Sequence, residues 1–136
     1  MRYLLDTNIC IYIINNRPPE VRRIFEGHSS TESTISVVTL LELKVGAHKS
    51  VKPAMRLDIV DRFASPMMSL PLRDDDASIA ARLRAELERK GMPIGPYDLL
   101  IAAQALARDL TVVTNNEREF VRIPGLKVEN WITKQR

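Results

Sequence analysis

Tyr3-Leu4-Leu5-Asp6-Thr7-Asn8-Ile9-Cys10-Ile11 near the amino terminus and Thr111-Val112-Val113-Thr114-Asn115-Asn116 near the other end share one pattern: a short apolar run that stops at carboxylate, hydroxyl and amide side chains. Such runs read as short buried strands, and the polar stop marks where the chain leaves the sheet. Further strands are expected at 34–38, 67–72 and 126–131. Between them lie helical patterns. Residues 9–14 and 20–25 read as two helices separated by Asn15-Asn16-Arg17-Pro18-Pro19, because proline cannot continue a helix but can open the next. Residues 39–48 and 54–63 form a second pair, divided around Pro53. The stretch 76–90 carries Ile79, Leu83 and Leu87 on one stripe, with Gly91 as its stop, and 96–108 is rich in alanine and leucine. Strands alternating with helices predict an α/β fold: a three-layer α/β/α sandwich with a mainly parallel central sheet. A single domain over 1–136 is expected, without repeats or linkers.

Composition narrows the function classes. With 136 residues, 45% hydrophobic and 27% charged, the chain is long enough to bury a core of its own. Asp6 and Asn8 interrupt the opening residues before the apolar core of a signal peptide, about 7–15 residues, can form. No apolar stretch approaches the roughly 20 residues of a spanning helix. A soluble, cytoplasmic protein is therefore expected. Cys10 is the only cysteine; flanked by two isoleucines, it reads as a small buried apolar side chain in a reducing compartment. The net charge of +3 is a mild pointer to a polyanionic partner.

The acidic residues carry more information. In a parallel sheet, segments leaving the strands emerge at one carboxyl edge, where ligand sites collect. Asp6 and Asn115-Asn116 follow strands directly, and Glu42 follows within a helical turn. Asp98 opens the helix that runs back antiparallel to the strand at 111–114, so it starts at the same edge. Carboxylates gathered without basic partners repel one another and are normally held by a hard cation such as Mg²⁺ or Mn²⁺. Each position also has a structural reading. Asp6 can cap the following helix, Thr39 and Glu42 have capping-box spacing, Asp98 suits a helix dipole, and Asn116 to Glu119 can be an ordinary turn. Convergence of all four favours a metal site. Asp74-Asp75-Asp76 precedes the strongest helix and reads as its acidic cap.

Other chemistries lose support. His28 and His48 lack zinc-ligand spacing, and neither a Gly-x-x-x-x-Gly-Lys phosphate loop nor a Gly-x-Gly-x-x-Gly fingerprint is present.

Leu-Leu-Asp6-Thr7-Asn8, Ser36-x-x-Thr39-x-x-Glu42-Leu43, Gly95-x-x-Asp98 and Val113-Thr114-Asn115-Asn116-x-x-Glu119-Phe120 resemble, in order and spacing over essentially the whole chain, the motifs of PIN-domain ribonucleases. The nearer resemblance is to VapC toxins of bacterial toxin–antitoxin modules. The wording Asp6-Thr-Asn-Ile-Cys-Ile-Tyr, Arg84-Ala-Glu-Leu and Gly95-Pro-Tyr-Asp98 is similar to the branch that cuts initiator tRNA, tRNA(fMet), in the anticodon stem-loop. The resemblance implies a PIN-like sandwich, a metal-dependent endoribonuclease that blocks translation initiation, a VapB antitoxin partner and a homodimer. It implies cleavage leaving a 5′-phosphate and a 3′-hydroxyl. Asp6, Glu42 and Asp98 are the expected Mg²⁺ or Mn²⁺ ligands, and Asn116 and Glu119 complete the candidate catalytic set. Thr7, Asn8, Ser36, Thr114 and Asn115 are candidates for orienting carboxylates or waters. One departure stands out: many PIN domains have aspartate where this chain has Asn116, a neutral and weaker ligand.

Lys44, Lys49, Arg82, Arg84 and Arg118 are candidate RNA contacts, with solvated surface charge as the competing reading of each. The helices at 9–14, 20–25 and 54–63 offer an apolar groove for an antitoxin segment, with core packing as the alternative. Two rival functions remain open. A non-catalytic RNA-binding module would want stacking aromatics, and the chain has one Trp, three Tyr and three Phe. A metal-dependent phosphatase of the aspartyl-nucleophile type would want a second aspartate where Asn8 stands.

Overall fold

Alternation along the strands decides which layer each side chain joins. In β1 (Tyr3–Leu5), Leu4 enters the core on one face of the sheet, whereas Tyr3 and Leu5 enter the other. In β4 (Thr111–Val113), Val112 and Val113 divide in the same way. These belong to a computed structural model that describes residues 1–132; residues 133–136 of the expected domain lie outside it. With β2 (Ser33–Ser36), β3 (Ser69–Leu70) and β5 (Lys127–Glu129) they make one sheet in the order β3-β2-β1-β4-β5, with every neighbouring pair parallel.

The helices cover both faces. Helices α1 (Thr7–Asn15), α2 (Pro19–Glu26), α3 (Val37–His48) and α4 (Pro53–Ala64) bury Ile9, Ile13, Val21, Leu43 and Val60 against Tyr3, Leu5, Ile35 and Val113. Cys10 is buried in this layer, unbonded. Helices α5 (Asp74–Arg89), α6 (Pro96–Arg108) and α7 (Glu117–Phe120) bring Leu83, Leu87, Ile101 and Phe120 onto Leu4 and Val112. The chain lays strands outward from β1 in one direction through β2 and β3, then resumes on the other side with β4 and β5. The β1/β4 boundary is thus the topological switch point, where open α/β sheets form their ligand crevice.

The expected α/β/α sandwich is present, and several boundaries differ for identifiable reasons. The strand expected at 34–38 ends at Ser36, because the Ser36 hydroxyl accepts a hydrogen bond from the Val38 N–H at 3.0 Å and starts α3 there. The Thr39–Glu42 capping box is therefore not made: Thr39 is inside the helix, and Ser36 is the cap. The strand expected at 67–72 shrinks to Ser69–Leu70, paired with Ile35 and Ser36 alone.

Gly91 does end α5. Its φ of +67° lets the Gly91 N–H reach the Glu88 carbonyl at 3.1 Å and the Met92 N–H reach the Leu87 carbonyl at 2.9 Å, the Schellman pattern. That turn reverses the chain into α6 and delivers Pro96-Tyr97-Asp98 to the carboxyl edge. At the opposite end of this helix pair, Asp76 accepts from the Arg73 N–H at 2.9 Å, the capping role expected of the acidic triplet. It also forms a two-bond ion pair with Arg108, at 2.7 and 3.1 Å. Burial opposes the Asp76 charge, but the Arg108 hydrogen bonds, the Arg73 N–H and both positive charges outweigh it and hold the carboxyl below its ordinary range.

Candidate active site

Asp6 is the first residue beyond β1 and the cap of α1. One carboxylate oxygen accepts from the Ile9 N–H at 2.9 Å, and the other accepts from the Thr114 hydroxyl, across the β1/β4 boundary. The Asn8 backbone N–H adds a third donor. Only 4% of Asp6 is exposed, and this burial, opposed by the hydrogen bonds and reinforced by the Glu42 charge, pushes its pKa up to about 6.

Glu42 reaches the site from the second turn of α3, and the Thr7 hydroxyl donates to its Oε1 at 2.6 Å. Asp98 arrives from the first turn of α6. Its pKa is pushed up to about 7 by burial first, then by a hydrogen bond to Glu119 and repulsion from Glu119, Asp6 and Glu42. Asn116, which precedes α7, donates its side-chain amide to Glu119 at 3.0 Å, leaving the amide oxygen as an acceptor.

Four acidic side chains from four distant segments therefore share one electrostatic field. None of Asp6, Glu42, Asp98 and Glu119 forms an ion pair with a basic side chain among the described residues. No trio of acidic, histidine or cysteine side chains there is drawn together tightly enough to enclose one ion. The fit to a divalent cation is accordingly one of donor chemistry: all-oxygen ligands, no basic partner, and two carboxyls, Asp6 and Asp98, whose ionisation is opposed by burial and by their acidic neighbours.

The orienting candidates separate. Thr7 and Thr114 bond directly to Glu42 and Asp6, and the Thr114 hydroxyl also accepts from the Asn116 N–H at 2.8 Å. Ser36 is occupied in capping α3. The Asn8 side chain is exposed and contributes through its backbone. Asn115 is also exposed, and its amide oxygen accepts from Asn130 instead of meeting the acidic group. Sequence reading left Thr39 out of the site set. It is fully buried and touches Thr7, Oγ1 to Oγ1, at 3.4 Å; the three-residue step from Thr39 to Glu42, which places both on one helix face, was the available signal. His28 packs against Tyr3 and Trp131, with ring centroids 4.9 and 5.7 Å away, as a structural group.

Of the candidate RNA contacts, Lys44 pairs with Asp61 at 3.8 Å and Arg84 with Glu88 at 2.7 Å. Lys49, Arg82 and Arg118 are exposed without an ion pair among the described residues. The groove expected between the amino-terminal helices is present: about 450 Å³, lined by Ile13, Ile14, Phe25, Ile59, Phe63 and Met67 among others. No helix among the described residues is long and apolar enough to cross a membrane.

Comparison with known proteins accords with this geometry. The family model described as PIN domain matches residues 3–126. The tRNA(fMet)-specific endonuclease VapC of Salmonella typhimurium is 46% identical over 96% of this chain and 98% of its own length. The protein of that name from Shigella flexneri is 44% identical over the same shares. Among solved structures, DNA-bound VapBC from Salmonella typhimurium superposes with a TM-score of 0.91 at 45% identity, covering 97% of this chain and 99% of that one. VapBC2 from Rickettsia felis, bound to a DNA fragment from its promoter, gives a TM-score of 0.87 at 40% identity, covering 97% and 100%. Relatives named as nucleases favour that reading over an RNA-binding module or an aspartyl phosphatase. The chain belongs to the VapC family of PIN-domain ribonucleases.

Proposed function

We propose that this protein is the metal-dependent ribonuclease toxin of a two-protein module and that it cuts initiator tRNA in the anticodon stem-loop. The observation that carries the chemistry is the group of four acidic side chains, without basic partners, at the switch point of a parallel sheet. The names of the relatives from Salmonella typhimurium and Shigella flexneri support the substrate.

Asp6, Asp98 and Glu42 would hold Mg²⁺ or Mn²⁺, with Asn116 and Glu119 beside them. When bound there, such an ion supplies Lewis acidity, acidifying a water and offsetting charge on the scissile phosphate. The chain's own work is to present oxygen ligands in fixed directions. The Ile9 N–H and the Thr114 hydroxyl immobilise both Asp6 oxygens, and Thr7 holds one oxygen of Glu42. Exposed Arg118, next to Glu119 on α7, is placed to meet the RNA backbone.

The apolar groove beside α4 supports a seat for an antitoxin segment. Homodimerisation, which light scattering would read directly, rests on the resemblance and on the exposed α3 stripe Val37, Leu41 and Val45.

The test is incubation of antitoxin-free protein with total bacterial tRNA in Mg²⁺, Mn²⁺ or EDTA, with cut ends mapped. Cuts confined to the initiator anticodon stem-loop, absent in EDTA and suppressed by adding the antitoxin back, are expected. Failure to cut with either metal, or cutting that persists in EDTA, contradicts the proposal.

A further inference from the structure

Helix α7 is a single turn of four residues, and Asn116 gives it no side-chain cap. One turn does not hold itself in water, because nucleating it fixes several residues for very few hydrogen bonds. Its position must come from tertiary ties. Phe120, fully buried, fastens one end. At the other end the half-buried Asn130 reaches in from beyond β5, and its side-chain amide donates to Asn115 Oδ1 at 3.2 Å and to Glu117 Oε2 at 3.1 Å. Its own oxygen accepts from the Ile132 N–H at 2.9 Å. That bond and the Glu117 carboxylate, which accepts, fix which way the amide faces. Both neighbours of Asn116 are thereby held by one side chain.

We infer that Asn130 is a positioning residue, a clamp that fixes the loop carrying Asn116 and, through α7, the direction of Glu119. The clamp stands on rigid ground. Glu129, just before it, accepts from the Thr114 N–H at 2.9 Å, and Trp131, just after it, is 4% exposed and packs on Tyr3 with ring centroids 5.3 Å apart. The links from clamp to site are short. The Asn116 N–H donates to the Thr114 hydroxyl at 2.8 Å, and the Asn116 amide donates to Glu119 at 3.0 Å. Without Asn130 the loop keeps its Thr114 bond and loses the two that hold its flanks. Asn115, turned away from the acidic group, acts as the receiving end of the clamp. The consequence for catalysis rests on the ribonuclease reading above; the placement of Asn116 does not.

Asn130→Ala removes the clamp and is expected to lower kcat about 10-fold, the lower end of what outer hydrogen-bond partners of metal ligands contribute, with KM for RNA within about twofold. Asn130→Asp keeps the acceptor for Ile132 but sets a second carboxylate against Glu117, so a loss at least as large is expected. Adding Glu117→Gln to Asn130→Asp replaces the repelled carboxylate with an amide donor, and kcat should return to within about threefold of the wild type. In the metal-free protein, the Asn116 side-chain amide NMR resonances should move in both single Asn130 variants and return in the double one. Wild-type kcat in Asn130→Asp, a loss that Glu117→Gln does not repair, or unmoved Asn116 resonances overturn the clamp. If the wild type cuts no RNA, the ribonuclease reading fails while the Asn116 resonances still decide the clamp.

Discussion

Asp98→Asn is expected to lower RNA cleavage about 1,000-fold, the several kcal/mol that a well-placed ion contributes, while making the metal-free protein more resistant to heat above pH 7. On the proposed function, loss of a charged metal ligand gives the first effect. The second follows from linkage. The Asp98 carboxyl titrates near 7 when folded, well above its ordinary 3.8, so between those values the native state holds more protons than the unfolded chain. Stability contributed by this group falls as pH rises through that window, and the full cost is present above it. Asparagine carries no charge and keeps a donor for Glu119. Solvent screens part of the repulsion, so the gain is about 1 kcal/mol, a few degrees in melting temperature. Calorimetry without metal should show it at pH 8 and little of it at pH 4. Full activity in the variant, or a lower melting temperature at pH 8, would contradict the assignment of Asp98.

The largest stability effect is expected far from that edge. The Asp76 carboxylate is completely buried and the Arg108 side chain is 12% exposed. Arg108→Met strands an uncompensated charge, which costs about 3–5 kcal/mol. Adding Asp76→Leu should recover most of the loss, since an apolar pair of similar volume is tolerated where a lone charge is not. Denaturant unfolding of both variants checks this. A loss under about 1 kcal/mol in Arg108→Met would mean that the pair is solvated and structurally minor.

The same contrast explains what could be read from the sequence. Strand-to-helix alternation and the polar stops after β1 and β4 were legible, because strand period and turn chemistry are local. From these came the layered architecture and the convergence of Asp6, Glu42, Asp98 and Glu119. Exact boundaries were not legible. Val37 and Val38 favour a strand by propensity, but the Ser36 cap, a tertiary choice between sheet and helix, turns them into the start of α3. Pairings between distant residues were also hidden. Nothing local to Asp76 reveals Arg108, thirty-two positions away, and nothing local to Asn115 shows that its amide turns toward Asn130. Thr39 looked like a cap because its spacing to Glu42 suits a cap as well as it suits a shared helix face. Only the approach of Thr7 from another helix separates the two.

The central claim is that the acidic side chains at the β1/β4 switch point collect one hard divalent cation. The most direct measurement is anomalous diffraction at the manganese edge from crystals of the antitoxin-free protein soaked in Mn²⁺. The account predicts a manganese peak within ligand distance of Asp6 and Asp98, which disappears in Asp98→Asn. A well-ordered site with no manganese, or a peak coordinated elsewhere, would contradict it.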